Sequence, residues 1–197
     1  MTTLRWEWRT FGDRLGEAEE RLGSMEPERR AESDETYALS AAGVDTVKAR
    51  DGLMDVKHLD RVDEDGLELW RPVMKSPLPV SPSDAGAVLA ALRVQAPLDR
   101  DAYDLGDLAQ IANGAVSLMP LHKTRRHYAF GGCMAELTDL RSGDRFTRTI
   151  AIESEDPARV VAAVRELGLA SWPNTNVPRG LKALRLLGPE TQTATRP

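Results

Sequence analysis

Segment after segment of this sequence alternates polar and apolar residues with a period of two, and the polar positions are mostly basic. Arg5, Glu7 and Arg9 share one strand face opposite Trp6 and Trp8. Lys48 and Arg50 oppose Val47 and Ala49, while Asp55 and Lys57 oppose Met54 and Val56. Arg71 aligns with Lys75, and Lys123 and Arg125 align with His127. Glu136 is flanked by Ala135 and Leu137, and Ala151 and Glu153 alternate with Ile150 and Ile152. One such strand on its own reads as half-buried sheet with a solvated face. Recurring along the whole chain, the pattern suits a barrel with its basic faces turned inward. Such a lining repels itself unless an anion occupies it, so the pattern implies a polyanionic ligand.

The strands expected from the alternation are Leu4–Phe11, Thr36–Leu39, Asp45–Arg50, Leu53–Leu59, Leu67–Lys75, Val116–Phe130, Gly132–Leu140 and Arg145–Ser154. Asp51-Gly52, Gly131-Gly132 and Ser142-Gly143-Asp144 are hairpin signals between neighbours. Pro72 marks an edge or a bulge. Asp13 is placed to cap a helix carrying Leu15, Ala18, Leu22 and Met25 at helical spacing, with Pro27 as its stop. Further helices are expected over Ser83–Arg93, Asp101–Ala112, from Pro157 to Leu167, and from Pro178 to about Leu187. The expected fold is therefore α+β: an antiparallel, eight-stranded, closed or nearly closed β-barrel with helices packed outside. It forms one domain over residues 1–188, followed by a disordered tail over residues 189–197.

Composition removes several alternatives. The longest apolar runs, such as Val88–Leu92, are about five residues, against the ~20 that a membrane helix needs. No apolar leader follows Met1, and the one cysteine, Cys133, leaves no internal disulfide to form; a cytoplasmic protein is expected. The net charge of −5 gives no global footprint of a nucleic-acid binder, which disfavours nucleic acid as partner. The charge is nonetheless uneven: the segment from Leu121 to Phe130 holds Lys123, Arg125, Arg126 and two histidines without a carboxylate. His58, His122 and His127 lack the spacing of a metal site, and Cys133 reads as a small buried residue.

The order of these pieces resembles the CYTH superfamily of triphosphate tunnel metalloenzymes, over nearly the whole length from Leu4 to Leu187. The resemblance rests on the first strand, the Glu35-Thr36-Tyr37 entry to the second, and Val47-Lys48-Ala49-Arg50-Asp51-Gly52. It continues through Asp55-Val56-Lys57, His122-Lys123-Thr124-Arg125-Arg126, Glu136-Leu137-Thr138-Asp139, and the strand Ile150–Ser154 leading into a helix. It implies a phosphate-binding tunnel lined by Arg5, Arg9, Lys48, Arg50, Lys57, Lys75, Lys123, Arg125 and, from the closing segment, Arg179. It also implies catalysis through Glu7 and Glu153, with Mg²⁺ or Mn²⁺ held by Glu7, Glu136 and Glu153. The frame departs from the family where Arg5 and Ala151 stand at positions of metal-binding carboxylates. Such an ion takes one or two carboxylates plus phosphate oxygens and waters, so at most one well-held ion is expected.

Three functions follow for the tunnel. It is a metal-dependent hydrolase of a linear triphosphate or short polyphosphate, a non-catalytic regulatory receptor for such an anion, or an interaction scaffold without a small ligand. The basic faces disfavour the scaffold, and Arg5 and Ala151 favour the receptor over the hydrolase. No protein partner is identified by the residues.

Overall fold

The computed structural model describes residues 4–186. The elements run β1 (Arg5–Gly12), α1 (Gly16–Gly23), β2 (Arg29–Ser40), β3 (Thr46–Arg50), β4 (Leu53–Val62), β5 (Glu68–Pro77), α2 (Pro82–Ala91), α3 (Leu105–Ile111), β6 (Val116–Phe130), β7 (Cys133–Ser142), β8 (Arg145–Ser154), α4 (Pro157–Glu166) and α5 (Val177–Leu186). Every strand pairing is antiparallel, and the sheet closes in the order β1-β5-β4-β3-β2-β6-β7-β8. The expected α+β barrel is therefore the fold. Two of its hairpins turn through positive φ at both central residues, Asp51-Gly52 and Gly131-Gly132, as tight two-residue turns require. The expected tail, residues 189–197, lies outside the described residues. Among the described residues, no helix is long and apolar enough to cross a membrane.

The apolar faces of the strands point outward beneath helices. Trp6, Trp8, Leu137, Ile150 and Ile152 pack with Leu15, Leu22, Val160 and Val164 of the α1 and α4 regions. Val47, Met54 and Val56 pack with Val88, Leu89 and Leu108 of α2 and α3. A third cluster sits inside the barrel at one end, where Leu181 and Leu184 of α5 meet Tyr37, Leu39, Met119, Leu121 and Leu140. Helix α5 thus stoppers that end. Lys182 reinforces it by donating from Nζ to the carbonyls of Ala41 and Gly43, at 3.3 and 2.6 Å. Leu181→Ala, at a fully buried position, is expected to lower stability by about 2–5 kcal/mol, read from urea unfolding.

Four local expectations are corrected. Helix α1 begins at Gly16, three residues beyond Asp13, and has no side-chain cap; instead Glu19 Oε2 accepts from the Leu15 N–H at 3.1 Å. Helix α3 begins only at Leu105, because Asp104 and Asp107 form a capping box there. Strand β2 starts at Arg29, seven residues before Thr36, and pairs with β6 along its whole length. In β5 a bulge follows Pro72: Lys57 faces Pro72 while Val56 faces Met74, leaving Val73 without a partner. The extra residue reverses the phase of the strand. Arg71 and Lys75 therefore lie on opposite faces, and Arg71 instead reaches Asp60 on the exterior at 2.6 Å.

Candidate functional site: a cationic tunnel

Closing the barrel brings residues from every strand into one interior cavity of about 290 Å³. Glu7 and Arg9 enter from β1, Lys48 and Arg50 from β3, Lys57 from β4, and Trp70 from β5. Lys123, Arg125 and His127 enter from β6, Glu136 from β7 and Glu153 from β8, with Arg29 and Tyr37 from β2. Period-two alternation is the reason: the charged side chains of β1, β3, β7 and β8 alternate with residues such as Trp8, Val47, Leu137 and Ile152 that pack outward under helices. Of the expected anion-binding residues, Arg9, Lys48, Arg50, Lys57, Lys123 and Arg125 share this cavity.

Three do not line it. Arg5 is exposed at the start of β1, where it pairs with Trp70 of β5 at the end of the ladder. Lys75 lies past the β5 bulge, paired with Asp55 and exposed. Arg179 sits on α5 and donates to Glu68, a carboxylate that also accepts from Asn176 Nδ2 at 2.9 Å. Burial, countered by Asn176 and Arg179, leaves the Glu68 carboxyl above its usual range.

The charges fall into two centres. At the first, the fully buried Glu35 gathers cations from two strands, β3 and β6. Its Oε1 faces Arg125 at 2.5 Å, Ser33 Oγ at 3.2 Å and Arg50 at 3.3 Å. Its Oε2 faces Tyr37 Oη at 2.9 Å, Lys48 Nζ at 3.2 Å and Lys123 Nζ at 3.3 Å. Burial alone would raise the Glu35 carboxyl, but Lys123, Lys48 and Arg125, with the hydrogen bond from Tyr37, hold it well below the usual carboxylate range. Lys123 is pushed down to about 7, by burial first and then by Arg125, Lys48 and Arg9, with Glu35 only partly compensating. Burial likewise lowers Lys48, with Arg50 beside it, against Glu35 and Asp55. The centre holds more positive charge than its single carboxylate neutralises.

At the second centre, Arg9 Nε donates to Glu7 at 2.7 Å, and its terminal nitrogen lies 3.4 Å from both Glu136 and Thr149 Oγ1. Burial would lower the Arg9 guanidinium, but Glu7, Glu136 and Glu153 outweigh it and raise it. Glu136 also accepts from Thr138 at 2.8 Å. Burial would raise Glu136, yet Arg9, Arg125 and Lys123 hold it at about 2. Glu153 behaves oppositely: burial and the neighbouring Glu7 push it up to about 7, against Arg9 and Lys57. The register explains the contrast, since Glu7 faces Glu153 directly across β1 and β8, whereas Arg9 and Glu136 both face Ala151. Arg125 joins the centres, with Glu35 on one side and Glu136 at 3.8 Å on the other.

Glu7, Glu136 and Glu153 were expected to share one ion. Among the described residues, no group of three or more Asp, Glu, His or Cys side chains is arranged to hold one. Glu136 is instead committed to Arg9 and Thr138. The Glu7–Glu153 pair fits a single hard cation better, because two facing carboxylates of which one is hard to ionise gain from an added positive charge.

Sequence reasoning passed over Glu35 as a site residue, along with Arg29, Tyr37 and Trp70. The signal for the first three was present: Arg29, Ala31, Ser33, Glu35 and Tyr37 fall on one face once β2 is extended to its true start. Trp70 carries a buried indole Nε1 without a hydrogen-bond partner, and nothing in its neighbours marks it.

No protein-family model matches this chain, and no curated protein matches it. Solved structures do. One is a proposed adenylyl cyclase from Hippeastrum, described as having a dominant triphosphatase activity, at 13% identity and a TM-score of 0.50, covering 92% of this chain and 95% of that one. Another is a protein of Bacillus halodurans proposed as an adenylate cyclase, at 11% identity and a TM-score of 0.49, covering 89% and 97%. A conserved hypothetical protein of Pyrococcus furiosus aligns at 14% identity and a TM-score of 0.47, covering 92% and 99%. At such identity the likeness to the Hippeastrum protein speaks to architecture alone. The chain shares the fold of the Hippeastrum protein, here a closed antiparallel barrel of eight strands.

Proposed function

We propose that the barrel binds a linear triphosphate or short polyphosphate anion, held by Lys48, Arg50, Lys123 and Arg125 and entered past Lys57 and Arg29. The observation that carries this reading is the convergence of Lys48, Arg50, Lys123 and Arg125 on one carboxylate, Glu35, beside the cavity, an excess of positive charge that gains from an added anion. The description of the Hippeastrum protein as a triphosphatase is in keeping with that chemistry. Hydrolysis would need a divalent ion, Mg²⁺ or Mn²⁺, at Glu7 and Glu153, which would offset charge developing at the reacting phosphorus. Arg9 and Arg125 would orient the anion against that end.

Thermal unfolding tests the binding. Tripolyphosphate should raise the Tm, since a ligand at a hundredfold excess over its Kd adds about 2.7 kcal/mol to the folded state. The shift should be largest at low salt and should vanish in the Lys123→Ala, Arg125→Ala double variant, in which Glu35 keeps Lys48 and Arg50 as partners. No shift at low salt would overturn the reading.

A second reading, an anion receptor without catalysis, is favoured by Ala151, which leaves β8 with one inward carboxylate, and by the engagement of Glu7 and Glu136 by Arg9. Phosphate release from tripolyphosphate with and without Mg²⁺ separates the two. A hydrolase should lose roughly a hundredfold or more of its rate in Glu153→Gln, because the ion supplies several kcal/mol of charge stabilisation. A receptor should show no metal-dependent release, while tripolyphosphate still raises its Tm.

A further inference from the structure

We propose that Glu35 is a built-in counter-anion of the tunnel: it holds the deep cations together when the tunnel is empty and sets a threshold of charge that an entering anion must exceed. The inference rests on the reading that the tunnel binds phosphate anions, and it concerns which of them bind. The geometry is that of an occupied anion site. One carboxylate, with no exposed side-chain surface, receives Lys48, Arg50, Lys123 and Arg125, together with the hydroxyls of Ser33 and Tyr37.

The count of hydrogen-bonding groups supports this. A carboxylate offers about four lone-pair sites, and six donor groups converge on this one. Two of the donors are ammonium groups with three N–H bonds each and two are guanidinium groups with five, so many donors remain for a second anion. Glu35 therefore does not fill the cluster. What it does is subtract one unit of positive charge from the place where a phosphate would sit.

Two opposing consequences follow. In the empty protein, four cations crowded in a poorly hydrated cavity would repel one another, and Glu35 removes much of that repulsion. For a ligand, the same carboxylate is a like charge a few ångströms from the bound phosphate. A singly or doubly charged anion gains little against it, whereas a chain with several negative charges reaches Lys57 and Arg29 as well and outweighs it. Glu35 is thus a specificity-determining residue: it excludes orthophosphate in favour of longer polyphosphates. Its position on β2, between strands that both supply cations, makes it stay in place when the ligand arrives.

The experiment is titration calorimetry at low salt on the full chain and on Glu35→Gln, which removes the charge and keeps the shape. The probes are sodium tripolyphosphate and sodium orthophosphate. Glu35→Gln should lower the Tm of the free protein, tighten tripolyphosphate binding by about tenfold or more, and bring in measurable orthophosphate binding. Glu35→Asp, which keeps the charge, should retain the wild-type preference. If Glu35→Gln does not fold alone, tripolyphosphate should restore its circular dichroism; failure to restore it overturns the proposal. Unchanged or weaker binding in the variant, with tripolyphosphate bound by the wild type, overturns the proposal and leaves the tunnel reading intact. No binding by either protein overturns both.

Discussion

Arg9→Ala should lower the stability of the barrel by about 3–5 kcal/mol at neutral pH, the range found when one partner of a buried ion pair is removed. Arg9 is 8% exposed and is the group that bonds Glu7 and Glu136 together. Without it, Glu7, Glu136 and Glu153 face one another across three adjacent strands with less compensating charge. Urea unfolding at pH 7 measures the loss. Two further results identify its cause. The deficit should shrink as the pH falls toward 5, because protonating the released carboxylates removes their repulsion, with Glu153 first, since burial and Glu7 raise it and Arg9 no longer opposes them. Glu7→Gln in the Arg9→Ala background should recover part of the stability. A deficit that is flat in pH and unmoved by Glu7→Gln would assign Arg9 a packing role instead.

The second large effect is on the pH dependence of binding. Burial and its cationic neighbours push the Lys123 ammonium down to about 7, so the charge of this group responds to pH near neutrality. A polyanion favours the charged form, so tripolyphosphate should bind with uptake of a proton. Its affinity should fall as the pH rises from 7 to 9, by up to about tenfold per unit. Calorimetry in buffers of different ionisation enthalpy reads the uptake directly. Lys123→Arg, charged throughout this range, should flatten the slope and so separate Lys123 from the titration of the ligand itself. The free protein should show a related signature. The folded pKa of Lys123 is below its unfolded value of 10.5, so the folded state binds fewer protons between the two, and this group adds stability as the pH rises from 7. Glu153 is raised from 4.5 to about 7 by burial and Glu7, so its contribution declines as the pH rises through that interval. Together the two place a shallow minimum of stability near pH 7, which bound tripolyphosphate should fill in.

Much of the tunnel was legible because strand alternation separates inside from outside at every second residue. Lys48 with Arg50 could be placed on the inner face from their neighbours Val47 and Ala49, and Lys123 with Arg125 on one shared face from their spacing, while the three β-hairpin turns fixed which neighbouring strands pair. Reading failed where the alternation is silent. The first seven residues of β2, Arg29 to Glu35, present no apolar face, because this stretch is a polar ribbon whose register comes from β6 rather than from a buried side. That silence hid Glu35, whose importance depends on cations contributed by β3 and β6. Arg71 was misaligned with Lys75 because a single bulge residue shifts the phase of β5: Arg71 faces His58 on the outside, while Lys75 keeps the face of Asp55 but is exposed and does not line the cavity. Arg179 was expected at the tunnel and is held on Glu68, a carboxylate more than a hundred residues away in sequence that no local pattern could connect to it.

The stopper formed by α5 has a consequence for the order of events in such a tunnel. A tube with one opening is a sheath: a thread enters by its tip and leaves the way it came. The deepest cations can then meet only the terminus of a chain, never its middle, and a closed ring has no terminus to offer. A linear tripolyphosphate and a cyclic trimetaphosphate carry the same phosphate units, but the sheath admits them differently. Loosening Leu181 and Leu184 would turn the sheath into a sleeve, open at both ends, through which a longer thread could slide.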